Sequence, residues 1–166
     1  ERAQSLVLAS AGSGSEPEKV EGFRAGTKDN AEIFRSQGSE KAARGFAVAP
    51  ARVQFQNKDP RGHGEFAAWM DEHPATGSAN TMEGVQGGRP SIWEKEVAIR
   101  ALVPPTLIVI GDEDEACIRP ALLLKRAIPA SGLMVMPRTG HCVSQVEPDL
   151  FNRALAEFYA QVQAGK

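Results

Sequence analysis

Between Leu8 and Leu102 the sequence contains no leucine. From Gly14 to Ser91 only 10 of 78 residues are Leu, Ile, Val or Phe, against 23 of 75 from Ile92 to Lys166. Alone, a stretch so poor in core material could not offset its ordering entropy, so it reads either as a flexible insertion or as a cap that leans on another core. An excess of charge of one sign is also missing: 19 Lys and Arg stand against 21 Asp and Glu, for a net charge of −2. That excludes a basic nucleic-acid footprint and a polybasic membrane patch. Long hydrophobic runs are lacking, since the longest strictly aliphatic one is Leu107 to Ile110, and no charged-then-apolar leader opens the chain. Neither a bilayer span nor a secretory signal is therefore expected. Two cysteines, Cys117 and Cys142, are too few for a disulfide framework, which makes a reducing, cytoplasmic setting the default.

What is present is globular in composition, with 42% hydrophobic and 24% charged residues. The chain opens Glu1-Arg2-Ala3, without methionine, and runs at once into the strand-like Ser5-Leu6-Val7-Leu8-Ala9. The expectation is a fragment or processed product whose preceding part is absent. In the middle, Lys28 to Gln37 reads as a helix, and Ser39 as the cap of a short one reaching about Val48. Asp59-Pro60-Arg61-Gly62 reads as a turn, and Glu65 to Glu72 as a helix with Phe66, Trp69 and Met70 at packing spacing.

The last third is easier. Ser91-Ile92-Trp93-Glu94 has the form of a capping box opening a helix to about Ala101, which Pro104-Pro105 stops. Thr106 to Ile110 is a β-branched and aliphatic run, the pattern of a strand buried on both faces of a parallel sheet. Pro120 reads as the first turn of a helix over Ala121 to Ile128, and Leu133 to Met136 as the next strand. Pro148 opens a final helix with Leu150, Phe151, Ala154, Leu155, Phe158 and Val162 on one stripe. Strand, helix, strand, helix is the right-handed crossover pattern of a parallel sheet.

In open parallel sheets reacting groups collect beyond the carboxyl ends of the strands. Gly111-Asp112-Glu113-Asp114-Glu115 follows one strand, and Pro137-Arg138-Thr139-Gly140-His141 follows the other. Both leave the same sheet edge, so a carboxylate and an imidazole can pair there, the acid fixing the ring's tautomer. Taken singly, an acidic run is a solvated turn and a lone histidine a satisfied surface residue; their joint placement favours the pair.

With these residues in place, the sequence resembles the α/β-hydrolase fold family. Leu102-Val103-Pro104, Gly111-Asp112-Glu113-Asp114, and Gly140-His141 followed by Glu147-Pro148 and Phe151 look like that family's last two strands and final helix. The resemblance implies an α/β fold: the C-terminal part of an α/β-hydrolase sheet, about three parallel strands with flanking helices, plus a mostly helical cap. Residues 1–13 would be the core strand that follows a missing nucleophile region. Residues 14–91 would be the cap, and 92–166 the core with Asp114 as triad acid and His141 as triad base.

The family's nucleophile sits on a G-x-S-x-G strand-to-helix elbow, and no such string occurs in the chain. Ala11-Gly12-Ser13-Gly14-Ser15 is a near match, but it lies where the cap begins and reads as a flexible exit from the strand. It is not a phosphate loop either, lacking the Lys-Ser/Thr pair. The implied function is the C-terminal portion of a cofactor-independent hydrolase of ester-like bonds, with its serine in an N-terminal half that is the expected partner. As drawn, Ser5 to Ala9 is a sheet edge awaiting that half. A small-molecule substrate is expected, with no cofactor and no metal, and a homo-oligomer remains open. The alternative is a non-catalytic module that pairs with the missing half or with itself. His63, His73, Asp59, Asp71 and Glu72 match no metal-ligand spacing, and Asp112 to Glu115 lack the alternating oxygens of a calcium loop. Cys142, beside His141, reads as a structural cysteine before a redox-sensitive one.

Overall fold

The computed structural model describes residues 3–165; Glu1, Arg2 and Lys166, at the limits of the expected segments, lie outside the described residues. Three parallel strands form one sheet in the order β1 (Leu6–Ala9), β2 (Thr106–Gly111), β3 (Ser131–Met136). In register, Leu8 lies beside Ile108 and Ile108 beside Leu133. Side chains on a strand alternate between faces, and here both faces are covered. Ile108 and Ile110 pack with Cys117, Ala121, Leu124 and Ile128 on one side. Val109 packs with Met136 and Val143, and Leu150 and Phe151 lean on that cluster.

Those partners come from helices flanking the sheet. Between β1 and β2 run α1 (Val20–Ala47), a 3₁₀ turn (Pro50–Arg52), α2 (Val53–Lys58), α3 (Pro60–Asp71), α4 (Ala75–Asn80), a π-helical turn (Thr81–Gly87) and α5 (Glu96–Arg100). α6 (Glu115–Ala127) connects β2 to β3, and α7 (Val143–Val146) and α8 (Pro148–Gln163) follow β3. No helix among the described residues is long and apolar enough to cross a membrane.

The leucine-free middle makes its own small core from Ala31, Phe34, Ala42 and Ala79, with Ile33, Phe46 and Met82 against it. Alanines let α1 approach α4 closely, and two phenylalanines fill the remaining space. The two helices expected over 28–37 and 39–48 are one longer element. α1 starts at Val20 and is interrupted only at Gly38, whose φ of 80° is open to glycine.

Asp59-Pro60 is a helix start rather than a turn. The Gly62 N–H donates to Asp59 Oδ1 at 2.9 Å and Pro60 occupies the first helical position of α3. Trp69 is 57% exposed, so the packing role expected for it does not hold. Near Ser91 the helix begins later than expected, at Glu96. The Ser91 hydroxyl accepts from Trp93 N–H at 3.1 Å and itself donates to the Ser15 carbonyl at 2.5 Å, tying two distant stretches together. Pro120 stands inside α6, which starts at Glu115. Pro148 does open α8.

Candidate active site

Two loops leave the carboxyl edge of the sheet side by side, after β2 and after β3. Asp112 N–H donates to the Met136 carbonyl at 3.0 Å and Glu113 N–H to the Thr139 carbonyl at 3.0 Å. The Thr139 N–H returns a bond to Asp112 Oδ1, also at 3.0 Å. Only a glycine fits at 111, because a Cβ there would lie 2.0 Å from the Thr139 carbonyl oxygen. Arg138 takes a left-handed φ of 52° to turn the second loop back.

This clamp sets Asp114 and His141 against each other. His141 Nδ1 donates to Asp114 Oδ2 at 2.9 Å. Asp114 is 1% exposed, whereas the His141 side chain is 37% exposed and borders a cleft. The second carboxylate oxygen, Oδ1, is buried without a hydrogen-bond partner among the described residues. A buried carboxylate on Nδ1 holds the ring in one tautomer and leaves Nε2 for a third group.

Sequence reasoning missed Asp112 as the staple between the loops. The Thr139 and Arg138 backbone N–H groups hold its carboxyl below the usual value of 3.8. A depressed folded-state pKa means stabilisation that is complete above 3.8 and is lost as pH falls through the lower folded value. Asp112→Asn is therefore expected to lower the urea midpoint at pH 7, and the gap to wild type should close as the pH falls from 4 to 2. A gap that stays constant over that range would show that the Asp112 charge does not hold the loops together.

The helical stretch between β1 and β2 docks directly on this machinery. His141 N–H donates to the Ala51 carbonyl at 2.8 Å, and a Cβ at Gly140 would lie 2.1 Å from that same oxygen. Gln54 donates to both oxygens of Glu113, at 3.0 and 2.9 Å, and Lys58 pairs with Glu147 at 2.5 Å. Between helices and sheet edge lies a cleft of about 500 Å³ whose walls include Phe23, Phe46, Arg52, Met70, Arg89 and His141. Ser13 borders the same cleft, with its carbonyl taken by the Arg89 guanidinium. A helix follows Ser13 only at Val20, which is not the immediate strand-to-helix turn of a nucleophile elbow.

Cys117, Asp114 and His141 each offer one donor atom, all within 4.8 Å of one another. Hydrogen bonds account for the grouping: the thiol donates to the Ser10 carbonyl at 3.4 Å, and Nδ1 is held by Asp114. Burial, followed by the negative charge of Asp114, pushes the Cys117 thiol up to about 12. Burial also raises Cys142. At about 12, the Cys117 thiol is only about 10⁻⁴ ionised at pH 8, too little for attack on a disulfide reagent. Ellman's reagent at pH 8 should count no more than one thiol in the folded protein and two after denaturation; two fast thiols in the folded protein would contradict the packing of Cys117. His63 is buried, with Nε2 2.8 Å from the Ala47 carbonyl and its ring edge-on to Phe55, a packing role.

Comparison with known structures decides the fold. MenH from S. aureus superposes with a TM-score of 0.87 at 19% identity, covering 96% of this chain and 60% of that one. A thermophilic esterase from Thermogutta terrifontis gives 0.80 at 23% identity, over 97% and 57%. The fold is that of the C-terminal part of an α/β-hydrolase. Among curated proteins, this chain is 28% identical over 87 residues to one from Bacillus subtilis (strain 168), provisionally named 2-succinyl-6-hydroxy-2,4-cyclohexadiene-1-carboxylate synthase. That match takes in 52% of this chain and 31% of the relative. It is also 28% identical over 104 residues to a protein of Agrobacterium fabrum (strain C58 / ATCC 33970) provisionally named carbamate hydrolase RutD, over 55% of this chain and 40% of the other. No family model matches. The chain thus spans 60% or less of the length of each of these four proteins.

Proposed function

We propose that this chain is the C-terminal portion of a cofactor-independent α/β-fold hydrolase, supplying the acid and base of a Ser-Asp-His triad. The observation that carries the reading is the 2.9 Å contact from His141 Nδ1 to a carboxylate that is 1% exposed, on a ring that borders a cleft. A serine from the N-terminal half attacks the carbonyl carbon of an ester-like or related bond, and His141 Nε2 takes its proton. Asp114 stabilises the imidazolium, which next protonates the leaving group; water then repeats the sequence on the acyl-enzyme. The helical stretch of residues 14–91 is the cap, and its docking on His141 and Glu113 closes the cleft over the reacting groups. The relatives' names span a synthase, a carbamate hydrolase and an esterase, so the reading stops at the bond class.

A second reading, a non-catalytic module that pairs with its missing half or with itself, is favoured by two observations. The 166 residues hold no G-x-S-x-G string, and β1 is paired on one side only among the described residues. One experiment separates the two. The chain is combined with its N-terminal half bearing a serine elbow, and hydrolysis of p-nitrophenyl esters is followed. Turnover that requires both halves and vanishes with His141→Ala supports the enzyme. A stable assembly without turnover supports the module.

A further inference from the structure

The arginines of the helical stretch divide into two groups. Arg24, Arg35, Arg44 and Arg61 are paired with Glu21, Glu83, Glu40 and Glu65. Arg52 and Arg89, the two that border the cleft, have no carboxylate partner among the described residues. Each is held by a backbone carbonyl and an aromatic ring instead. Arg52 donates to the Phe46 carbonyl at 3.1 Å, with its guanidinium carbon 5.4 Å from the Phe66 ring centre. Arg89 donates to the Ser13 carbonyl and lies 4.9 Å from the Phe23 ring centre. A carbonyl and a ring fix a guanidinium in place without neutralising it, and most of its five donors stay free. Arg52 Nε is buried with no partner, an arrangement that lacks an acceptor.

We infer that these two arginines select a substrate that carries a carboxylate on an apolar acyl body, an inference that rests on the hydrolase reading and names its substrate class. Among the described residues, the only acidic side chain bordering the cleft is Asp114, already bonded to His141. The walls otherwise offer Phe23, Phe46, Met70 and Met82 to a carbon chain. A carboxylate meets a guanidinium in a planar, two-bond geometry that a lysine does not reproduce. In the partly desolvated cleft such a contact discriminates against a neutral ester of the same length.

The test compares 4-nitrophenyl butyrate with mono-4-nitrophenyl glutarate on the complete protein, and measures binding of glutarate itself by calorimetry. The expected wild-type preference for the glutarate ester is about tenfold or more in kcat/KM. Arg89→Gln and Arg52→Gln should each cut that preference by about 10- to 100-fold, through KM more than kcat, and weaken glutarate binding in parallel. Arg89→Lys keeps the charge and should recover part of it, which separates recognition from misfolding. Arg61→Gln, on an outward-facing arginine, should leave the preference intact. A wild type that prefers butyrate, or glutarate binding equal in wild type and both Gln variants, overturns the inference while the hydrolase reading stands. If neither ester is turned over, the hydrolase reading fails. Glutarate binding then decides alone: retained in wild type and lost in the Gln variants it upholds the inference, and absent it overturns it.

Discussion

His141→Ala should lower kcat/KM for ester hydrolysis by about 10⁴- to 10⁶-fold in the complete protein, and Asp114→Asn by about 10⁴-fold. The alanine variant removes the one imidazole on the cleft, among the described residues, that is backed by a buried carboxylate. Asparagine at 114 preserves shape but can present an N–H where the ring needs an acceptor, so the imidazole turns to the wrong tautomer. Asp114 Oδ1 lacks a partner among the described residues, so no second contact fixes which way the amide points. The double variant should be scarcely worse than His141→Ala, because an acid without its base has nothing to orient. Losses below tenfold in both single variants would remove Asp114 and His141 from the chemistry.

Gly111→Ala should damage stability and activity together. The new methyl would lie 2.0 Å from Thr139 O, 2.5 Å from Thr139 C and 2.6 Å from Gly140 O, all backbone, so no side-chain rotation relieves it. The loop after β3 must move, at a cost of about 1–3 kcal/mol or more. Both bonds to Thr139 from the Asp112–Glu113 turn stretch with it. A shift of about 1 Å between Asp114 and His141 suffices for roughly a hundredfold loss in rate. Gly132→Ala is the control, since a Cβ there meets nothing within 4 Å. Thermal melting and kcat/KM on the two variants check it, and a Gly111→Ala protein as stable and active as Gly132→Ala would contradict the close approach of the loops.

The parts legible in the sequence are those whose signal is local. Thr106 to Ile110 is a strand because five consecutive residues suit a two-faced core, and α8 shows its stripe and its opening proline. The order of strand and loop was enough to bring Asp114 and His141 to one edge, where the structure has them 2.9 Å apart. The helical stretch was harder because its packing uses alanine, which carries little hydrophobic signal in a periodicity reading. Asp59-Pro60 fits a turn and a helix start equally well until α3 is seen to continue from it. Arg52, Arg89 and Asp112 stayed hidden for a different reason: their partners or neighbours come from remote points of the chain, and no local pattern records that.

The Ala51 carbonyl on the His141 N–H has a consequence for how this architecture can be altered. The 3₁₀ turn Pro50–Arg52 is at once part of the cleft wall and a splint on the backbone of His141. Grafting a different covering segment from a relative would therefore exchange not only the walls of the cleft but one of the struts that aim the imidazole. A chimera joined outside this turn keeps the strut; one joined inside it inherits a histidine that must find its bearing anew.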